Sequence, residues 1–179
     1  PMTVQTFAQN VFTSSVDPAL VSGWGKRGSD WAFSASIQHQ VLPRTSVEVG
    51  YNWRALENFT VTDNLAVAAT DFDRFSVTAP ADARLPGGGG VAVSDLYNVS
   101  NARFGQNNNM LTSGNNYGSW TQHYNGVLAQ ATARPRNGLT LQGGFNVGTT
   151  VSDNCAVRSQ LLESAPTNPY CHVDSGFVT

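Results

Sequence analysis

Residues Trp31–Arg54 read WAFSASIQHQVLPRTSVEVGYNWR. Trp31, Phe33, Ala35, Ile37, His39 and Val41 recur at every second position, with Ala32, Ser34, Ser36, Gln38 and Gln40 between them. A period of two sends alternate side chains to opposite faces of an extended chain, so this is a strand with one apolar side. Beyond Pro43-Arg44-Thr45 the alternation resumes, with Val47, Val49, Tyr51 and Trp53 set against Ser46, Glu48, Gly50, Asn52 and Arg54. Folded back at the Pro-Arg bend, both apolar rows share a face. The aromatics Trp31, Phe33, Tyr51 and Trp53 all lie at the end away from the bend, with Ile37 and Val49 nearer to it. Transmembrane barrels set their aromatic girdles in this way, and each arm has about the 9–11 residues that a tilted spanning strand needs. The inner face of a soluble β-sandwich shows the same alternation.

A second hairpin begins near Trp120. Val127, Ala129, Ala131 and Ala133 share a side, Pro135-Arg136-Asn137-Gly138 makes the turn, and Leu139, Leu141, Gly143, Phe145 and Val147 follow. Asn-Gly is the strongest short-range hairpin signal, and the Pro-Arg pair repeats the first bend. The expected organisation is thus a single all-β unit: a hairpin over 31–54, a long loop excursion over 55–119, a hairpin over 120–151 and a disulfide-closed loop over 152–179. Within the excursion, Phe59–Thr62, Phe75–Thr78 and Val91–Val93 read as short strands, and Asp71–Asp73, Pro80–Asp82, Leu85–Gly90 and Gln106–Asn109 as turns. Upstream, residues 1–12 read as a short strand or an ordered arm. Residues 13–30 carry turn chemistry, with one helical turn in DPALV started by Asp17 with Pro18 at its first position.

Composition narrows the function classes. The 179 residues carry a net charge of −2, and only 12% are charged, roughly half the usual share of about 25%. No Lys/Arg cluster is dense enough to track a phosphate backbone, so nucleic acid is not an expected partner. With 40% hydrophobic residues the chain can bury a core and is not of disordered type. No run approaches the ~18 apolar residues of a spanning helix, so a membrane role would go through strands. The ends, Pro1-Met2 and Phe177-Val178-Thr179, read as those of a piece of a longer precursor or a product of processing. Cys155 and Cys171 lie in a Pro/Asn-rich stretch without metal-finger spacing. A loop-closing disulfide and an oxidising compartment are expected.

The stretch YNWRALENFTVTDNLAVAATDFDRFSVTAPADARLPGGGG (Tyr51–Gly90) resembles the TonB-dependent-receptor-like outer-membrane barrels of acidobacterial and metagenomic sequences. The resemblance continues through SDLYNVSNARFGQ, NYGSWTQHYNGV and RNGLTLQGGFNVGTTVSDNCAVRSQL to APTNPYCHVDSGFVT. It implies a segment from the C-terminal half of a long barrel, with neither the plug domain nor the box that binds the energy-transducing partner. Such a segment implies outer-membrane lipid and the rest of a larger barrel as partners, a bacterial outer-membrane or cell-surface location, and no catalytic residues. At Trp53-Arg54-Ala55-Leu56 the chain departs from the bulkier aromatic and Gly pattern of that family.

The residues that meet lipid in this reading are Trp31, Phe33, Ile37, Val49, Tyr51 and Trp53, while Glu48 and Arg54 face a lumen. Four long strands are too few to close a barrel, which takes about eight, so partner strands come from a larger chain or from copies of this one. Asp63, Asp71, Asp73 and Asp82 offer oxygen ligands to calcium, although D-x-D spacing is short of a calcium motif and solvated turn aspartates are the simpler expectation. His39, His123 and His172 are isolated, with no HExxH or GxSxG beside them, so no enzyme and no metal centre is expected. Gly87–Gly90 lacks the following Lys-Ser/Thr of a phosphate loop. Tyr117, Trp120 and Tyr124, near an Asn-rich run, are the candidate ligand-binding aromatics, suited to stacking on sugars. The competing expectation is a secreted or surface β-rich module that self-assembles, with or without glycan binding.

Overall fold

The computed structural model describes residues 14–164 and 168–176; the readings made for residues 1–12 and for the two chain ends lie outside them. The architecture is all-β in character, built on antiparallel pairing with short helical turns, and no sheet closes on itself among the described residues. The chain divides into two compact units.

One unit takes in Arg27–Phe59, Gly114–Gln160 and Tyr170–Thr179. Its sheet is formed by β2 (Ser29–Leu42), β3 (Thr45–Glu57), β8 (Thr121–Arg136), β9 (Leu139–Asp153) and the short β10 (His172–Ser175), in the order β10-β9-β8-β3-β2 with every pair antiparallel. The registers turn the dyad pattern into rows across four strands. Ile37 stands opposite Val49, Val49 opposite Ala129, and Ala129 opposite Phe145. One step toward the open end, Ala35, Tyr51, Val127 and Val147 form the next apolar row, followed by Phe33 and Trp53. The other face carries Gln38, Glu48, Gln130 and Gly144 in one row and Gln40, Ser46, Thr132 and Gln142 in the next. A slip of one residue would exchange these faces entirely, and the two turns hold the register against it. Arg44 takes the left-handed conformation (φ 65°) in the first turn and Gly138 (φ 82°) in the second.

The second unit takes in Pro1–Lys26, Thr60–Ser113 and Leu161–Pro169. Its three-stranded sheet runs β1 (Ser14–Val16), β7 (Asn109–Ser113), β4 (Thr60–Asn64), with β1 parallel to β7 and β4 antiparallel to it. A separate hairpin pairs β5 (Phe72–Thr78) with β6 (Ala92–Val99). Leu20, Val61, Leu96 and Leu161 form its buried apolar set. The helical turn α1 (Pro18–Val21) starts where DPALV indicates, with Asp17 Oδ1 accepting from Ala19 N at 2.8 Å. Asp17 Oδ2 also accepts from Thr112 Oγ1 at 2.6 Å, and Thr112 is fully buried in β7. Those two donors hold the Asp17 carboxyl below the usual aspartate range.

Glu163 lies in a 3-10 turn (Leu162–Ser164) of the same unit, half-buried, accepting from Asn64 N at 3.2 Å. Burial is the main cause that pushes its carboxyl above the usual range, and the neighbouring buried Asp63 adds to the rise. A raised acid binds its proton more readily in the folded than in the unfolded chain. Stability of this unit therefore falls as pH rises from about 4.5 through the folded value, and is regained on acidification through that window. Glu163→Gln should flatten this part of the pH profile and raise the melting temperature at pH 7, as thermal unfolding at pH 5 and pH 7 will show.

Candidate functional site

The long sheet supplies the most distinctive surface of the molecule. A sheet with one apolar side ordinarily packs that side against another layer. Here the row is bare: Ile37 is 78% exposed, Trp31 67%, Phe145 60%, Phe33 57% and Val49 52%. Tyr51 is exposed too and donates from its hydroxyl to Asn125 Oδ1 at 2.7 Å, whereas Trp53 is half-covered. Val157, in the short helix α2 (Cys155–Gln160), is the buried apolar side chain of this unit, and none of the long strands contributes one. At 14, 13, 16 and 15 residues, β2, β3, β8 and β9 each exceed the roughly 9–11 of a spanning strand.

The opposite face is polar and internally bonded. Gln130 Nε2 donates to Glu48 Oε2 at 2.5 Å across β8 and β3, and Arg54 Nε donates to Asp30 Oδ2 at 2.6 Å near the open end. Tyr124 belongs to this face. Its ring lies along the surface of Gly126 and Gly148, where a Cβ on either glycine would collide with it. An aromatic ring laid over paired glycines covers backbone that the missing side chains leave bare.

The three aromatics chosen for ligand binding thus have different surroundings. Trp120 stacks on Phe59 with ring centroids 4.5 Å apart and planes 9° from parallel, so one of its faces is occupied. Its Nε1 is buried without a hydrogen-bond partner among the described residues. Tyr117, half-buried, follows the 3-10 turn Gly114–Asn116, its N–H donating to Gly114 O at 3.0 Å. Tyr124 is committed to the glycines.

Cys155 and Cys171 are disulfide-bonded, their Cα atoms 4.8 Å apart. Asn154 N donates to Cys171 O at 3.1 Å beside the bond, and β10 then pairs with β9. His172 meets Asp153, with Nδ1 3.0 Å from Oδ2. His39 and His123 fall in the apolar rows opposite Val47 and Ala55.

Three of the four aspartates considered for calcium have other duties, and Asp73 pairs along the β5–β6 ladder opposite Asn98. Asp71 accepts from Ala68 N at 2.9 Å and lies 3.4 Å from Arg103 Nε. Asp82 is forked by Arg84 and held below the usual range by it. Asp63 is buried in β4 beside Glu163. No group of three or more His, Cys, Asp or Glu side chains gathers to hold a metal among the described residues.

No family model, curated protein or solved structure matches the chain. The resemblance to TonB-dependent-receptor-like barrels therefore stands on its residues alone, and any function must be built from the two faces of the long sheet and its edges.

Proposed function

We propose that this chain is a wall segment of a bacterial outer-membrane β-barrel of the TonB-dependent-receptor-like kind, acting in substrate uptake or surface binding without catalysis. The apolar rows meet lipid, the polar rows meet a lumen, and the segments that join the strands at the open end select what is bound. The observation that carries the reading is the bare apolar row through Ile37, Val49 and Phe145, backed by a face on which Gln38, Glu48, Gln130, Gln40, Ser46, Thr132 and Gln142 stand. Contiguous exposed apolar surface of this kind marks an interaction with lipid or protein. Lipid is favoured by the strand lengths and by the aromatics Trp31, Phe33, Tyr51 and Trp53 gathered at one end of the band. The disulfide fits an extracytoplasmic location.

Depth-dependent quenching by brominated lipids tests it. In vesicles the folded chain should lose tryptophan emission to bromines near the interface, and Trp31→Phe with Trp53→Phe should remove much of that loss. A monodisperse monomer in plain buffer whose tryptophans bromine never reaches would end the reading for this polypeptide.

A secreted or surface module that assembles from its own copies is the second reading, favoured by the edges. β2 has no neighbour on its outer side among the described residues, and β10 covers only Thr150–Asp153 of β9. Unpaired edges of that length invite strand addition. β2 and β9 run in opposite directions, so β9 of one copy can extend the antiparallel sheet along β2 of the next. An ordered polymer soluble without lipid or detergent would establish this reading in place of the first.

A further inference from the structure

We infer that the polar face carries, at its turn end, a binding site for a small, multiply charged oxyanion such as a diphosphate or a tricarboxylate. Both Pro-Arg turns meet there. Arg134 N donates to Arg44 O at 2.8 Å, and Arg44 Nη1 donates to Asn137 Oδ1 at 3.4 Å, so the first turn is tied to the second through backbone and side chain. The recess between them is open to solvent, about 900 Å³ in volume, and is lined by Arg44, Arg134 and Arg136 together with amides and hydroxyls such as Gln40, Gln142 and Thr132.

Charge makes this recess unlike the rest of the surface. Of the ten Lys and Arg residues in the chain, three line it, and no Asp or Glu does. Arg54, Arg74, Arg84 and Arg103 each have an aspartate partner, whereas Arg44, Arg134 and Arg136 form no ion pair among the described residues. The nearest acid along the same face, Glu48, is already engaged by Gln130. Guanidinium groups recognise phosphate and carboxylate oxygens through paired N–H donors, and several together favour a ligand with several negative charges. A single carboxylate would leave two of the three cations unanswered. The volume suits a small solute, and the site lies on the face turned away from the apolar rows. It requires no bilayer, and would persist if the lipid reading failed.

Isothermal titration of the full folded chain with pyrophosphate, and in parallel with citrate, at low salt tests the assignment. The expected result is saturable binding of at least one of the two, weakening as salt is added; which one binds identifies the anion class. Arg134→Gln with Arg136→Gln should lower affinity at least about tenfold, close to 1.4 kcal/mol. Lysine at both positions should recover part of it, since charge is kept and the fork lost. Arg84→Gln, in the other unit, should change nothing. Absence of saturable binding of either anion by the native chain, or equal affinity in a double glutamine variant with native far-UV circular dichroism, would overturn the inference.

Discussion

Arginine in place of Ile37 is expected to cost about 2–4 kcal/mol of folded stability in a phospholipid bilayer, the range found for cationic residues on the lipid face near the midplane of a barrel. Ile37 sits in the row with Val49, Ala129 and Phe145, between the aromatic end of the sheet and the Pro-Arg turns. At 78% exposure it has little protein packing to lose, so most of the penalty comes from the surrounding medium. Gln38→Arg, one residue along and on the opposite face beside Glu48, is the matched control and should be nearly neutral. Urea unfolding of both variants in vesicles measures the difference. Equal, small effects would mean that the apolar row does not meet hydrocarbon.

Removing the disulfide by replacing Cys155 and Cys171 with alanine should destabilise the chain by about 3 kcal/mol, the chain-entropy value for a loop of about 15 residues; the separation here is 16. The bond closes a loop that starts in α2 and returns to β10, and β10 is held to β9 over only four residues. So short a strand has little pairing of its own to hold it in place. Reduction should lower the denaturant midpoint and speed amide exchange across His172–Ser175 before the β3–β8 core of the sheet responds. An unchanged midpoint after complete reduction would show that β10 is anchored by something other than the crosslink.

The long strands were legible because their side chains alternate without interruption and their turns carry Pro-Arg and Asn-Gly. The pattern at Trp31–Val41 and Val127–Ala133 specifies face as well as extension. α1 was legible through Asp17 and Pro18, whose capping chemistry is local. Hidden were β1 and β7: SSV and NMLTS show no period, and β7 begins within an Asn-rich run that reads as a turn. Their pairing depends on contacts far along the chain, as when Asn64 Oδ1 accepts from Asn108 N at 2.8 Å. β10 and α2 follow from the disulfide rather than from propensity. At the site, the turn arginines could be named from the sequence, but their convergence could not, because it rests on a register between two hairpins separated by the whole excursion. Tyr124 was chosen for its chemistry and proved to be a cover for Gly126 and Gly148, a partnership set by strand pairing alone.

The excursion between β3 and β8 has one more property. Thr60 and Ser113, at its two ends, are partners in the β4–β7 ladder. Joining distant strands through a slack connection is slow, because each doubling of the loop costs about 0.6 kcal/mol in closure entropy, and high contact order retards folding. A connection that first ties its own ends behaves kinetically as a short one. The β4–β7 ladder then forms ahead of the large sheet, and the β3–β8 seam, whose partners lie far apart in sequence, zips with its starting point already in place.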